Sequence, residues 1–239
     1  DGSLFAILDG ATLQLSEDGE YWWSGSSGGA TLYDLTSSGS RLIGVSSSMT
    51  IVTSDDRFTW TQRSTSVSTN TLRDLSYNGG QYLAVGDSNT VLTSLDGVNW
   101  TTRSIALGSL TGVTWGATGY VAVGYLGAVG RVATSPDGVV WTLRTIPAVG
   151  PLRGVAWGGG RVAAVGDGGV LLTSPDGIAW TTHTTGTAVS LRAVTRHGST
   201  WVAVGATGTV VVSGDGENWT ASTLGVVAPE LYGLESNGL

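Results

Sequence analysis

The stretch LRGVAWGGGRVAAVGDGGVLLTSPDGIAWTT, residues 152–182, decides the fold. Leu152 to Trp157 reads as an inner strand that stops at Gly158-Gly159-Gly160. Arg161 to Val165 reads as a second strand, closed by Gly166-Asp167-Gly168-Gly169. Val170 to Thr173 is a third, and Ser174-Pro175-Asp176-Gly177 turns it into a fourth at Ile178 to Thr182. β-Branched residues between Gly-rich turns favour strands. No window keeps a 3.6-residue apolar period long enough for a helix, so helix is expected to be close to absent.

The closing turn recurs along the whole chain. Ser-x-Asp-Gly-x-x-Trp occurs at Ser16-Asp18-Gly19-Trp22, Ser94-Asp96-Gly97-Trp100 and Ser135-Asp137-Gly138-Trp141. It returns at Ser174-Asp176-Gly177-Trp180 and Ser213-Asp215-Gly216-Trp219. A sixth copy, Ser54-Asp56-Trp60, has Arg57 where the others have Gly. The Ser-to-Ser spacings are 38, 40, 41, 39 and 39 residues, which marks a repeat rather than a coincidence. Four short antiparallel strands repeated six times predict an all-β, six-bladed β-propeller.

Counting predicts how the ring closes. The first Leu of a repeat precedes its box Trp by 28 residues in four cases, and Leu110 precedes Trp141 by 31. The chain ends on Leu231-Tyr232-Gly233-Leu234, an inner strand with no blade after it, and opens on Leu4 to Leu8, a second strand with no inner strand before it. Joining the ends gives a spacing of 30, so the termini are expected to share one blade and leave no free sheet edge. The blades expected within a single domain of residues 1–239 are 231–239 plus 1–23, 32–61, 72–101, 110–142, 152–181 and 191–220.

Within the box, the Asp carboxylate and Ser hydroxyl are expected to close a tight turn while Gly supplies a left-handed conformation. The Trp is expected to pack between blades, contributing about 3 kcal/mol by full burial. Arg57 predicts a strained or re-formed turn in its blade.

Composition narrows the function. The net charge is −7 and the pI about 4.6, which argues against nucleic acid or an anionic membrane as partner. All eleven basic residues are Arg, and there is no Cys, which removes disulfides, thiolate catalysis and Cys-ligated metals. No transmembrane run, signal peptide or lipidation signal is read in the chain, and a leader or longer parent chain is expected to have been removed. His183 and His197 lack ligand spacing, Asp55-Asp56 reads as a turn, and no helix follows the Gly-rich turns to make a phosphate loop. No metal or cofactor is expected.

The six boxes resemble the Asp-box, or BNR, repeats of sialidase-like and photosystem assembly-factor-like propellers. They are also similar to tandem repeats of bacterial surface and phage tail-associated proteins, most fully at Ala164-Val165-Gly166, Gly169, Thr173-Ser174-Pro175-Asp176-Gly177 and Trp180-Thr181. The resemblance implies that the box is a folding element, away from the functional face.

The opposite face carries the second-to-third turns and the connections between blades. Its candidates are the second residues of the inner strands: Tyr33, Arg73, Thr111, Arg153, Arg192 and Tyr232. Three Arg and two Tyr around the axis would suit an anion or an acidic sugar. The resemblance to sialidases sharpens this, since those enzymes grip a carboxylate with three Arg and use a Tyr helped by a Glu, here Glu230 or Glu235 beside Tyr232. Against that stand the missing Arg-Ile-Pro motif and the short loops. The competing reading pairs the arginines with Asp34 and Asp74. The turn Tyr125 to Gly130 is the one long turn of this face, and Tyr125 and Leu126 are a second candidate contact point. The expectation is a non-enzymatic recognition or scaffold propeller, extracellular, on a cell surface or on a virion, contacting a surface glycan or protein. The alternatives are an assembly factor binding one protein partner and a sialidase-like glycoside hydrolase.

Overall fold

The computed structural model describes residues 5–9, 12–25, 30–63, 70–224, 231 and 233. The chain is an all-β six-bladed β-propeller, with four antiparallel strands in most blades. It divides into two compact units, Asp1–Ala106 and Leu107–Leu239. The described residues contain no α-helix, only single 3-10 turns at Asp167–Gly169 and Ala206–Gly208.

The first unit holds three sheets. One has the order β1 (Phe5–Asp9), β2 (Thr12–Ser16), β3 (Trp23–Gly25). The next is β4 (Leu32–Ser37), β5 (Leu42–Ser46), β6 (Ile51–Ser54), β7 (Thr61–Arg63), and the third is β8 (Leu72–Tyr77), β9 (Tyr82–Gly86), β10 (Thr90–Ser94), β11 (Thr101–Ser104). The second unit holds β12 (Ser109–Gly116), β13 (Gly119–Leu126), β14 (Val129–Ser135), β15 (Thr142–Arg144), then β16 (Leu152–Gly158), β17 (Arg161–Gly166), β18 (Leu171–Ser174), β19 (Thr181–Thr182). Its last sheet is β20 (Leu191–His197), β21 (Thr200–Gly205), β22 (Thr209–Ser213), β23 (Thr220–Thr223). Tyr232 and residues 234–239, which were expected to close the first sheet, lie outside the described residues. Leu231 is described, and its N–H donates to the Gly205 carbonyl at 3.2 Å.

Two local readings are corrected. The fourth strand expected at Ile178 to Thr182 begins only at Thr181. The N–H groups of Ile178 and Ala179 donate to the Asp176 carboxylate, at 2.8 and 3.0 Å, so those residues belong to the turn. The long turn expected at Tyr125 to Gly130 is an extended hairpin, with Tyr125 paired to Gly130, Leu126 to Val129, and only Gly127-Ala128 at the tip.

Each box is a closed hydrogen-bonded turn. In the Ser94 box the Ser Oγ donates to Asp96 Oδ1 at 3.0 Å and accepts from Gly97 N–H at 2.8 Å. Asp96 Oδ1 also accepts from Val98 and Asn99 N–H, both at 2.8 Å. These donors hold the carboxyl well below the usual carboxylate range, the Asn99 backbone N–H contributing most. Arg57 adopts the same left-handed conformation as the glycines, with φ of 69°, and its guanidinium reaches Glu17 in the preceding blade. The turn survives the substitution: Phe58 and Thr59 N–H still donate to Asp56, which sits at about 2 chiefly because of the Thr59 backbone bond.

The box also meets the blade before it. Arg41 donates to the Asp96 carbonyl, Thr118 to the Asp176 carbonyl at 3.2 Å, and Arg161 to the Gly216 carbonyl at 3.3 Å. At Gly97 a Cβ would lie 2.4 Å from Ile43 Cδ1, so glycine there answers both to φ and to this approach. Beneath the boxes, neighbouring blades within each unit bury apolar clusters. Ile43, Val45 and Ile51 pack with Leu72, Leu75, Tyr82 and Leu92 in the first unit. Val121, Val123 and Val132 pack with Leu152, Val162 and Leu172 in the second.

Full burial of the box tryptophans does not hold. Only Trp219 is buried, at 8 % exposure; Trp22 is 38 % exposed, and Trp60, Trp100, Trp141 and Trp180 are half-buried. Their contribution is therefore below the figure of about 3 kcal/mol for a fully buried ring. Instead the indole does a second job, its N–H donating to the box Gly carbonyl at 3.0 to 3.1 Å in the blades of Trp22, Trp100, Trp141 and Trp180.

Candidate binding face

The inner strands share one irregularity. The pairing slips by a residue between Leu32 and Asp34, Leu72 and Asp74, Leu110 and Gly112, Leu152 and Gly154, and Leu191 and Ala193. The extra residue in each bulge is Tyr33, Arg73, Thr111, Arg153 or Arg192, the series singled out by the repeat. A bulge unpairs and re-aims one side chain. Here it directs each of two arginines onto an aspartate of its own blade's second-to-third turn.

In the first unit Arg73 grips Asp87, 14 residues on, with Nε and Nη2 both at 2.8 Å from the carboxylate oxygens. Tyr33 is half exposed in the preceding blade. In the second unit Arg153 grips Asp167 in the same bidentate way, at 3.0 and 2.5 Å. More is assembled around this pair. Arg192 from the following blade stands 3.7 Å from the same carboxylate. The ring of Tyr125, from the preceding blade, lies 4.9 Å from the Arg153 guanidinium carbon, within cation–π range. The Arg153 hydrogen bonds hold Asp167 below the usual carboxylate range, with smaller help from Ser190 and Arg192. Close backbone packing allows the convergence: a Cβ on Gly154 would sit 2.7 Å from the Arg192 carbonyl.

The competing reading, which paired the arginines with Asp34 and Asp74, is corrected for the bidentate contacts of Arg73 and Arg153, which go to the turn aspartates. Asp34 and Asp74 meet each other across β4 and β8, both accepting from Leu75 N–H, at 2.7 and 3.0 Å. Burial, then the neighbouring Asp74 charge and hydrogen bond, push the Asp34 carboxyl well above its ordinary range. Of the remaining candidates, Leu126 stands 55 % exposed at the hairpin, Thr111 donates to the Leu152 carbonyl at 2.8 Å, and Tyr232 lies outside the described residues. His183 Nε2 is 2.6 Å from Thr173 Oγ1, where Arg63, Arg103 and Arg144 bond the equivalent Thr in their blades.

Asp167 was part of a quoted turn, but nothing in the alternation of the strands showed the bulge that brings Asp167 or Asp87 to its arginine. The arrangement is suited to holding a carboxylate. Among Arg153, Asp167 and Arg192, two cations share one anion, and an aromatic ring lies under one of them.

Solved structures similar to the chain carry the propeller fold. A catalytically inactive variant of virginiamycin B lyase from Staphylococcus aureus with quinupristin is 11 % identical, with a TM-score of 0.84 over 99 % of this chain and 89 % of that one. YCF48 bound to D1 peptide is 21 % identical, with a TM-score of 0.63 over 90 % of this chain and 68 % of that one. YCF48 from Cyanidioschyzon merolae is 15 % identical, with a TM-score of 0.67 over 92 % and 85 %. At such identities the likeness shows the fold alone. No protein-family model matches the chain, and no curated protein matches it.

Proposed function

We propose that the chain is a non-enzymatic recognition propeller that binds one protein partner through a carboxylate-bearing peptide, laid across Arg153, Arg192 and Tyr125. The observation that carries this is the two-cation, one-anion cluster over an aromatic ring. Arg192 supplies charge-assisted donors beside a pair already fixed in place, so little side-chain freedom remains to be lost on binding. YCF48, a structural neighbour, binds a peptide, which favours a protein partner over a surface glycan at this face. A sialidase-like hydrolase is disfavoured because Arg73 and Arg153 already spend their bidentate edges on Asp87 and Asp167. The acidic, Cys-free, Lys-free composition supports a setting outside the cell or on a virion appendage.

The test is fluorescence polarisation of the intact chain against a peptide library with free or amidated C-termini and with or without acidic side chains. Carboxylate-dependent binding should fall about tenfold or more in Arg192→Gln, equivalent to about 1.4 kcal/mol, and persist in Arg73→Gln. Selection of no peptide, or binding indifferent to Arg192→Gln, would sink the proposal.

A further inference from the structure

We infer that the groove between the β4–β7 and β8–β11 blades, on the box face, is a binding site for an uncharged saccharide. It lies within the first unit and has a volume of about 470 Å³; Arg41, Asp55, Tyr77, Tyr82, Leu95 and Asp96 line it.

A pyranose offers two kinds of surface, an apolar C–H face and an edge of neighbouring hydroxyls. The groove offers the complement of each. Tyr77 and Tyr82 stack with centroids 4.4 Å apart and planes inclined by 27°. Tyr82 is buried, so the aromatic surface left to the groove is mainly that of half-buried Tyr77. Leu95, 77 % exposed, extends this apolar surface at the rim. The corresponding rings of another blade, Trp115 and Tyr120, meet edge-on at 72° and form no such flat stack.

The polar edge is built just as firmly. Arg41 is bound to Asp55 through Nε and Nη2, at 2.6 and 3.0 Å, and its Nη1 donates to the Asp96 carbonyl. Three of the five guanidinium hydrogens are thus committed and two remain. The Asp55 carboxylate, 61 % exposed, keeps acceptor capacity beside them. A fixed donor next to a fixed acceptor matches two adjacent hydroxyls, each of which both gives and takes a hydrogen bond. One cation facing two carboxylates leaves the lining with an excess negative charge, so an acidic sugar is disfavoured and a neutral one fits.

This groove and the Arg153 cluster are separate sites on different units, and their tests separate too. A glycan array carrying neutral and sialylated glycans is probed with the intact chain, and hits are titrated by calorimetry. The expected result is binding of neutral glycans that weakens about tenfold or more in Asp55→Asn and Tyr77→Ala and about threefold in Leu95→Ser. Arg192→Gln should leave it unchanged. Thermal melting is followed for every variant, and Leu95→Ser and Asp55→Asn, both exposed, keep the test independent of any unfolding in Tyr77→Ala. Absence of any neutral hit overturns the inference, as does binding unmoved by Asp55→Asn and Leu95→Ser. Preference for sialylated glycans, lost in Arg192→Gln, overturns it in favour of the Arg153 cluster. Selection of a basic peptide that depends on Asp55 overturns it in favour of a protein ligand.

Discussion

Arg73 and Arg153 occupy equivalent bulges in their blades and each grips its own blade's turn aspartate, and around Arg153 a second arginine and a tyrosine join the pair. Around Arg73 the first unit sets Asp87, with Ser47 at the preceding blade's turn. Around Arg153 the second unit sets Asp167, a second arginine from the next blade and a tyrosine from the one before. Two repeats therefore share one kind of ion pair, and the neighbouring blades decide which further groups join it. A half-exposed ion pair contributes little. A carboxylate serving two guanidiniums is harder to remove, because its loss leaves two like charges facing each other.

Removing the shared anion should break the comparison most visibly. Asp167→Ala is expected to cost about 2 kcal/mol, and Asp87→Ala about 1 kcal/mol or less, in urea unfolding of the intact chain. Equal losses would mean that Arg192 adds nothing to the pair.

The next test is pH, where Asp34 and Asp167 should respond in opposite directions. Asp167 is depressed, so its contribution is present above the unfolded carboxylate range and is lost as pH falls through its lower folded value. Asp34 is raised, so its contribution is complete at acidic pH and is lost as pH rises through its higher folded value. Hydrogen exchange followed peptide by peptide should show β4 and β8 opening more readily from mildly acidic towards alkaline pH. Asp34→Asn should flatten that trend, whereas β16 and β20 should loosen only in acid.

A smaller effect is expected for Tyr125→Ala. Loss of the ring under Arg153 should cost about 0.5–1 kcal/mol by denaturation and weaken carboxylate peptides in the same assay. The smallest is the reverse graft. Ser47→Tyr, at the exposed turn position equivalent to Tyr125, should stabilise the first unit by about 0.5 kcal/mol if preceding-blade aromatics act alike, and no gain would show that the hairpin of Tyr125 is needed as well.

Much of the propeller was legible because its punctuation is chemical. Ser, Asp and Gly at fixed offsets spell one turn, and the β-branched runs between them leave little alternative to short strands. Even the odd box at Arg57 was visible, since a non-glycine at a left-handed position stands out. The candidate face was legible only in outline. Arg153 and Arg192 were marked by their repeat position, but the competing reading paired the arginines with Asp34 and Asp74, which follow Tyr33 and Arg73 in the sequence. A one-residue bulge redirected the arginines, and residues such as Asp87 looked like ordinary turn formers. Tyr125 was noticed for a loop that is really a hairpin, because Gly and Ala at its tip resemble loop composition. The box tryptophans misled in another way: their size suggested full burial, whereas the indole N–H keeps the ring close to its own turn. The groove at Arg41 and Tyr77 had no sequence signal, since its two walls come from different repeats.

The contact between three of the boxes and the blade before each bears on how such a chain can lengthen. Arg41, Thr118 and Arg161 each reach from one repeat to the next repeat's box, so a single repeat carries both a lock at one edge and a key at the other. Copying one whole repeat inserts a matched lock and key and leaves its neighbours' fittings intact. Duplication in frame is thus tolerated by this interface, whereas a crossover between the first turn and the box would strand half of it. A chain built in this way can diverge blade by blade, as its two arginine pairs have done, without renegotiating its seams.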